Sequence, residues 1–379
     1  MNKRLTAITL LLVVIVSCQQ PKQETSIIVP QLKLSIDEVK VTIPDDIPND
    51  WLGIAASFEN GERVLHQYDQ YHKNIIQFSL DRKQIIKRVY PFSDTLDPGN
   101  NPVYVQRIEK GYFLLGGVRL GFMLIDDDGN LKNLWNDYYP NKHLIKNWDY
   151  NFKYRLRSST STSLSMLDKQ TIPIYIELAN MSYDVVYRDN FYDYDIFGKL
   201  DLHTGVLERF PIRFPNDFNR NGLSYPMRHL PSFTAMEDGK MAYFFGINDT
   251  IHILDTNTGE ITDYSIPNTS FPINIRPVDQ AFFMDRNQYS EFSSNLSYYS
   301  GLYYDPYRKG LLRMGLKKEN NRLTRIYELL DENMNIVGQF EQPSQYSPAP
   351  FFLPNEIWFP FQMGYAEDEM KLMRVVIEE

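Results

Sequence analysis

Apolar and polar residues alternate along most of this chain, and Asp, Asn and Gly interrupt the alternation at short intervals. Five segments share one order, namely an alternating run, an Asp, a few turn residues and a second alternating run: IIQFSLDRKQIIKRVY, FMLIDDDGNLKNLW, YDIFGKLDLHTGVLERF, TIHILDTNTGEITDYSI and RIYELLDENMNIVGQF. Alternation with a period of two is typical of half-buried strands, and Asp, Asn and Gly favour tight turns. Each segment therefore predicts a β-hairpin.

The turn aspartates of these hairpins recur along the chain. They lie at positions 81, 126, 201, 255 and 331, at intervals of 45, 75, 54 and 76 residues, with a mean of about 62. Antiparallel repeats of this kind are typical of propeller blades. Residues 36–379 hold about 5.5 such units. Together with the strand count below, the sequence predicts an all-β, six-bladed β-propeller of four-stranded antiparallel blades, to within one blade. Two β-sandwich domains are the alternative, and they leave the recurrence unexplained.

A second hairpin precedes each of the five, which gives four strands a blade, lettered a to d outwards from the axis. The predicted strands are 52–58, 63–68, 74–80 and 85–90; 102–109, 111–117, 121–126 and 130–135; 162–168, 172–178, 194–201 and 206–214; 231–237, 240–246, 249–255 and 259–266; and 297–305, 309–316, 322–330 and 334–341. Three strands follow, at 348–353, 356–361 and 369–377, and one strand at 37–44 is left over. We expect that N-terminal strand to close the last blade as its outer edge, because closure leaves no frayed end.

The amino-acid composition favours a strand-rich fold and argues against nucleic acid as a partner. Aromatic residues make up 14% of the chain, with 26 Tyr and 23 Phe, and such residues favour strands. No stretch shows three helical turns with an apolar stripe and a cap at each end. The formal charge is −9, and it becomes −11 if Lys3 and Arg4 are removed with a signal peptide. Nucleic acid is therefore not expected as a partner, because phosphate binding depends on clustered basic residues.

The N-terminus has the order of a secretory signal peptide, predicted at residues 1–17. Lys3 and Arg4 precede an apolar run at 5–16, which is shorter than the roughly 20 residues that a membrane span needs. The segment at 15–18, IVSC, resembles the lipobox of bacterial lipoproteins, in which the cysteine carries the lipid and begins the mature chain. Cys18 is the only cysteine of the sequence. A lipid attachment site needs one sulfur, whereas a disulfide needs two.

Residues 18–35 are predicted to form a tether between the lipid and a single propeller domain at 36–379, because they start polar, contain two prolines and show no period. Gln19 follows the cysteine, and by resemblance to the sorting rule of proteobacterial lipoproteins this favours the outer membrane. The periplasmic and surface sides both stay open.

The chain resembles the TolB-like six-bladed propeller lipoproteins of Bacteroidota. The lipobox at 15–18, the overall length and the segment YYDPYRKGLLRM at 303–314 carry this resemblance. It covers nearly the whole mature chain and implies a propeller fold in the cell envelope. It implies no reaction, because most of these proteins have no assigned function.

The long connections between strands predict where a partner binds. In a propeller the a–b and c–d connections emerge on one face and the b–c and d–a connections on the other. The long connections, at 136–161, 179–193, 215–230 and 267–296, are all predicted on the second face and are rich in Tyr and Arg. Arg228 and His229 are predicted nearest the axis because they precede an inner strand. The further candidates are Arg155, Arg157, Tyr187, Arg188 and Arg276, and loop packing is the alternative role for each.

Catalytic signatures are absent from the sequence. It contains no G-x-S-x-G, no phosphate loop and no H-E-x-x-H, and the segments DDDGN at 126–130 and DTNTGE at 255–260 lack a full calcium-ligand series. No cofactor, metal or catalytic residue is predicted. The leading hypothesis is a binding or scaffold lipoprotein with a protein, peptide or glycan partner. The alternative is a propeller hydrolase with a metal or carboxylate site in the central funnel, which three or more converging acidic or amide side chains would favour.

Overall fold

The structure is a computed structural model, and it describes residues 32–378 apart from 45–53, 70, 91–101, 110, 118–120, 137–148, 150–151, 156–165, 169, 179–186, 188–192, 217, 219–221, 226–229, 267–272, 320–321 and 362–368. Six four-stranded antiparallel sheets follow one another as the blades of a β-propeller. This confirms the predicted fold class and blade number. Within the described residues, no helix is both long enough and apolar enough to cross a membrane.

The first five blades use consecutive strands, each paired with the next. They are β2 (Ala55–Glu59), β3 (Glu62–Asp69), β4 (Asn74–Ser79) and β5 (Gln84–Val89); β6 (Pro102–Glu109), β7 (Tyr112–Gly117), β8 (Gly121–Asp126) and β9 (Leu131–Asn136); β10 (Phe152–Arg155), β11 (Thr171–Leu178), β12 (Phe197–Asp201) and β13 (Leu207–Phe210); β15 (Pro231–Ala235), β16 (Lys240–Phe245), β17 (Thr250–Asp255) and β18 (Ile261–Ser265); and β20 (Ser297–Asp305), β21 (Gly310–Glu319), β22 (Arg322–Leu330) and β23 (Ile336–Gln342).

The sixth blade is closed by the start of the described chain. Its strands are β24 (Phe351–Leu353), β25 (Glu356–Pro360) and β26 (Glu369–Glu378), and β1 (Lys33–Thr42) pairs antiparallel with β26 from Lys33 opposite Glu378 to Thr42 opposite Glu369. The N-terminal strand is therefore the outer edge of the last blade, as predicted. It begins earlier than expected, so positions 33–35 belong to the blade and not to the tether, because β26 is long enough to pair with all ten residues of β1.

The inner strand of the third blade is the one strand that the sequence misplaced. It was predicted at 162–168, but the strand that pairs with β11 is β10, with Phe152 opposite Leu178 and Arg155 opposite Tyr175. The part of 162–168 that the structure describes is a bend before β11, in which the Leu167 amide donates to the carbonyl of Thr171 at 2.9 Å. Leu167 is buried there, so its apolar character reflects core packing in a turn.

Aspartates shape the outer turns of several blades as the hairpin pattern predicted. Asp126 accepts the backbone amides of Asp128 and Asn130 at 3.0 and 2.8 Å, and Asp255 accepts those of Asn257 and Thr258. Asp201 and Asp331 make equivalent bonds. A carboxylate that accepts amides two to four residues ahead holds a tight turn. The segments at 126–130 and 255–260 are thus hairpin turns, as the pattern of the sequence predicted.

Two short helices and a two-stranded ribbon lie outside the blades. The ribbon joins β14 (Leu223–Ser224) to β19 (Val278–Asp279), and it is followed by α1 (Gln280–Met284) and α2 (Arg286–Ser293). Asp279 and Asp285 cap the two helices by accepting backbone amides from the first turn of each. No helix was predicted here, because both are too short to show an amphipathic stripe.

The hydrophobic core lies between neighbouring blades. Strand side chains alternate between the two faces of each blade, so every face packs on the next blade. Between the third and fourth blades the core is mostly aromatic, with Phe197 in ring contact with Phe233 at 5.3 Å and Tyr243 at 5.1 Å. Close backbone approach also matters, because a Cβ on Gly310 would lie 2.2 Å from the carbonyl oxygen of Leu330. That glycine belongs to the segment 303–314.

Candidate functional site

Three of the predicted long connections meet on the face of the b–c and d–a connections, here called the insertion face. β14 comes from the connection at 215–230 and pairs with β19 from the connection at 267–296. Tyr187, from the connection at 179–193, donates its hydroxyl to the backbone carbonyl of Asp279 at 3.4 Å. The connections therefore support one another around Asp279.

An aromatic cluster with one arginine covers these joined connections. Its members, here called the insertion surface, are Tyr187, Arg276, Phe282, Phe283, Tyr289 and Phe292. The rings form a chain in which Phe283 lies 6.4 Å from Tyr187 and 4.8 Å from Tyr289, and Tyr289 lies 6.1 Å from Phe292. None of the residues of α1 and α2 is buried. This surface is thus a partly exposed aromatic layer on a capped helical hairpin.

Arg276 is held by two of these rings. Its Cζ atom lies 5.2 Å from the ring centroid of Phe282 and 5.1 Å from that of Phe292, which are cation–π distances. Among the described residues, no carboxylate lies within ion-pair distance of Arg276. The exposed guanidinium faces a groove of about 500 Å³ that is also lined by Asn274, Gln288, Glu291, Asn295 and Leu296. The rings fix the plane of the guanidinium, so its N–H groups can meet a carboxylate or sulfate in bidentate fashion.

The structure describes two of the seven predicted binding-face residues in full. Tyr187 and Arg276 both belong to the insertion surface, and Tyr187 also packs against the core of the third and fourth blades. The predicted position of Arg155 was wrong. It was expected in a connection, but its backbone lies in the inner strand β10. Arg157, Arg188, Arg228 and His229 lie outside the described residues, as does Cys18, and the side chain of Arg155 does too.

The corrected third blade also changes the argument from connection length. Because β10 ends at Arg155 and β11 begins at Thr171, the a–b connection of this blade runs over 156–170. The expectation that all long connections emerge on the insertion face is therefore wrong, because this one emerges on the opposite face. The choice of the insertion face as the binding face is now supported by the ribbon, the helices and their aromatic cluster. It is no longer supported by the distribution of the long connections between the two faces.

A second candidate site lies on the propeller axis, on the face of the a–b and c–d turns, here called the turn face. This axial cavity has a volume of about 530 Å³. Every blade contributes to its lining, which consists of Ile54, Ala55 and Ala56; Gln106, Arg107 and Ile108; Met166, Leu167 and Asp168; Thr234, Ala235, Met236, Glu237 and Asp238; Tyr304, Pro306 and Tyr307; and Pro350, Phe351 and Phe352.

Apolar residues form the floor of the axial cavity, and polar residues form its rim. Ala55, Leu167 and Ala235 are buried, whereas Asp168, Glu237 and Asp238 are exposed. Burial, together with the nearby carboxylates of Glu237 and Asp238, raises the pKa of Tyr304 to about 12, so its hydroxyl stays protonated. Across the described part of the chain, no three His, Cys, Asp or Glu side chains come together in a way that could hold a metal ion. The hydrolase alternative gains no supporting observation from these residues.

A serine and a histidine lie in contact between the first and second blades. Ser57 Oγ is 2.7 Å from His66 Nε2 and also donates to Glu59 Oε1 at 2.7 Å. In a catalytic triad the carboxylate binds the other ring nitrogen, but His66 Nδ1 is buried without a hydrogen bond. Burial and the nearby Arg107 lower the pKa of His66 to about 3, which makes it a poor base at neutral pH. The cluster therefore serves packing between blades.

Sequence reasoning missed the axial cavity and the helical hairpin. The cavity lining comes from six distant segments, so no linear motif contains it. One signal was present: two acidic residues, Glu237 and Asp238, lie together in the a–b turn MEDGK at 236–240. For the helices, the signal was the pair of capping aspartates, Asp279 and Asp285, followed by aromatic residues at helical spacing.

Comparison with solved structures identifies the same architecture. Over 92% of this chain and 99% of the other, the structure matches a member of the DUF4221 family from Bacteroides vulgatus with a TM-score of 0.65 and 15% sequence identity. An exported protein of Bacteroides fragilis matches over 91% of this chain and 96% of its own, with a TM-score of 0.49 and 13% identity. At 15% identity, the similarity to the DUF4221 family member shows the fold alone. No protein-family model matches the sequence, and no curated protein does.

Proposed function

We propose that this protein is an exported, lipid-anchored module of the cell envelope, similar to TolB-like propeller lipoproteins, and that it binds a protein, peptide or glycan through the insertion surface. The proposal rests mainly on the environment of Arg276. Its guanidinium is exposed, held between Phe282 and Phe292, and has no carboxylate within ion-pair distance among the described residues. An acidic group of the partner would supply the missing counter-charge.

The surrounding rings give the insertion surface an area suited to recognition. Aromatic side chains offer rigid contact area with little loss of side-chain entropy, and arginine and aromatic residues are enriched among the residues that dominate binding energy. The surface stands on a propeller, whose packed blades hold the connections in place, and recognition residues tend to lie on loops that a rigid scaffold positions.

The lipid anchor is the second part of the proposal. It is supported by the lone Cys18 behind a twelve-residue apolar run and by the polar segment that follows. The closing strand begins at Lys33, so the tether between the lipid and the first blade spans 18–32. Fully extended at about 3.5 Å a residue, it would reach some 50 Å from the membrane. The outer membrane is the proposed location.

The experiment compares capture by matched variants. The untethered domain, residues 19–379, is immobilised and exposed to detergent-solubilised envelope from the native cell, and retained proteins and glycans are identified. Arg276→Gln should lose the partner that the wild-type domain retains. Arg286→Gln is the control, because Arg286 is an exposed arginine of the same helical hairpin that contacts no aromatic ring among the described residues. Equal retention by both variants would remove Arg276 from the site.

A further inference from the structure

The axial cavity lies on the turn face, away from the insertion surface, and its chemistry points to a ligand of its own. All six blades contribute to it, and its volume of about 530 Å³ falls within the range of small-molecule sites. A cavity that depends on six blades is held open by the whole propeller.

The floor of the axial cavity suits an apolar group. Ala55, Leu167 and Ala235 are buried at its base, and Met236 and Phe352 are half-buried on its walls. The small alanine side chains leave the space that larger residues would fill. An apolar body placed there would be removed from water on most sides, which is favourable.

The rim carries an excess of negative charge. Asp168, Glu237 and Asp238 line the mouth, and among the described residues Arg107 is the one cation that lines the cavity with them. Arg107 is already engaged, because it pairs with Asp127 and lies 3.5 Å from Glu59. Lys309 lies 3.3 Å from Glu237 and offsets the negative charge of Glu237, but it forms no ion pair with Asp168 or Asp238. Within the described part of the lining, no cation is left over for an anionic ligand.

No described residue forms a direct ion pair with Asp168 or Asp238, although the charge of Lys199 acts on Asp168 from a greater distance. Asp168 accepts the backbone amides of Gln170 and Thr171 at 2.7 and 2.8 Å, and the pKa of Asp168 is lowered by these bonds although burial opposes them, so it stays ionised. Asp238 lies in the adjoining turn in a left-handed conformation with φ 60°. Tyr304 and Tyr307 add aromatic rings to the same mouth, and such rings attract organic cations.

We propose that the axial cavity binds a small amphiphilic amine, with its apolar body on the alanine-lined floor and its ammonium group at the carboxylate rim. The arrangement disfavours an anion of the same shape, because the rim would repel it. This site is independent of the proposed partner at the insertion surface, so either proposal can fail without the other.

Three probes that share one apolar body test the charge preference. Phenethylamine, phenethyl alcohol and phenylacetate are titrated into the domain comprising residues 19–379 at low ionic strength, and binding is followed by ligand-observed NMR. We expect millimolar binding in which the amine is favoured over the alcohol by about fivefold, as expected for carboxylates near a protein surface. Phenylacetate should bind weakest. Absence of amine binding, or phenylacetate binding equal to that of the amine, overturns the proposal.

Two variants tie the binding to this cavity. Ala56→Leu places a larger side chain in the cavity and should abolish binding of both the amine and the alcohol. Asp238→Asn removes one rim charge and keeps the turn, since Asn tolerates the left-handed conformation. It should weaken the amine by about twofold to threefold and leave the alcohol unchanged. Glu332→Gln, an exposed change in an outer turn of the same face, is the control and should change neither.

A folded Ala56→Leu domain that still binds the amine overturns the assignment to the axial cavity. If Ala56→Leu does not fold, the proposal is judged from the amine affinity of Asp238→Asn compared with that of the wild type and of Glu332→Gln. Amine affinity that stays unchanged in Asp238→Asn, or that falls equally in Glu332→Gln, contradicts the proposed role of the rim.

Discussion

Asp37 on the closing strand and Arg374 on its neighbour form a two-point ion pair, with Asp37 Oδ2 2.6 Å from Arg374 Nη2 and Asp37 Oδ1 3.0 Å from Arg374 Nε. Arg374 also reaches Glu356 at 3.4 Å, and Glu356 lies 3.1 Å from Arg63 of the first blade. Both guanidinium groups also lie within cation–π distance of the buried ring of Trp358, that of Arg374 at 5.5 Å and that of Arg63 at 5.8 Å from its centroid. The last blade is thus joined both to the N-terminal strand and to the first blade.

Removal of the closing strand should destabilise the domain far more than removal of the tether. A chain that begins at residue 45 loses β1 with the buried Val41 and Ile43 and leaves β26 as an unpaired edge. Because an open edge promotes both fraying and aggregation, we expect a large drop in melting temperature and concentration-dependent aggregation. Thermal denaturation and light scattering measure both effects.

The matched control for this deletion is a chain that begins at residue 32, which retains all of β1. It should melt within a few degrees of the chain that begins at residue 19. If the two deletions melted alike, ring closure by the N-terminal strand would contribute nothing to stability.

His66 should make the protein lose stability in mild acid. Burial lowers its pKa from 6.5 to about 3 in the folded state, so the unfolded chain binds a proton that the folded chain does not. The contribution of neutral His66 to the free energy of unfolding is therefore complete above pH 6.5. Below that pH it is lost at about 1.4 kcal/mol per pH unit. From about pH 7 to pH 4.5, we expect the free energy of unfolding to fall by about 2–3 kcal/mol on this account.

The comparison with His66→Gln isolates this effect, because other groups titrate alike in both proteins. Urea denaturation at several pH values should give a smaller pH dependence for His66→Gln, whatever its absolute stability. His203→Gln, a change at an exposed turn histidine, should keep the wild-type slope. Identical slopes for wild type and His66→Gln would mean that His66 is not held neutral.

The buried ion pair of the fifth blade should respond asymmetrically to substitution. Arg313 Nη2 lies 2.6 Å from Glu328 Oε2, both side chains are almost fully buried, and the guanidinium lies 3.9 Å from the ring of Tyr299. Glu328→Gln leaves a buried charge without its counter-ion, and we expect a loss of about 3–5 kcal/mol in the free energy of unfolding. Arg313→Met with Glu328→Leu should recover part of it. A double variant less stable than Glu328→Gln would contradict this account.

The sequence predicted strands well where alternation and turn residues agree. In the fourth blade, for example, both were clear, and each predicted strand lies within two residues of the structure at either end. The prediction failed at β10, where the four residues of Phe152–Arg155 are too few to show alternation and the apolar Leu167 nearby imitates a strand while it packs in a bend. Short strands are specified by their pairing partner, which a single segment does not reveal.

The candidate sites were less accessible to sequence reasoning than the blades. Tyr187 and Arg276 were selected as Tyr and Arg on long connections, and the structure places both in the insertion surface. Their environment depends on Phe282 and Phe292, which the sequence could not assign to helices of five and eight residues. The axial cavity depends on side chains from six segments, and only the assembled propeller brings them together.

Cys18→Ala should release the protein from the membrane. Without the thiol no lipid can be attached, and the apolar run at 5–16 is too short to span the hydrocarbon core. Fractionation should move the variant from the membrane to the soluble fraction, and labelling with a fatty-acid analogue should disappear. Ser17→Ala keeps the cysteine and serves as the control. Membrane retention of Cys18→Ala would contradict lipid anchoring.

Site-specific photocrosslinking in the native cell tests most directly whether the insertion surface carries the function. A photoreactive phenylalanine analogue at Ser290, an exposed position of α2, lies beside the aromatic cluster, whereas the same analogue at Glu332 lies in a turn of the opposite face. We predict a discrete crosslinked species from Ser290, lost when Arg276→Gln is added and kept with Arg286→Gln, and none from Glu332. Crosslinking from Glu332 alone, or a Ser290 product indifferent to Arg276, would contradict the account.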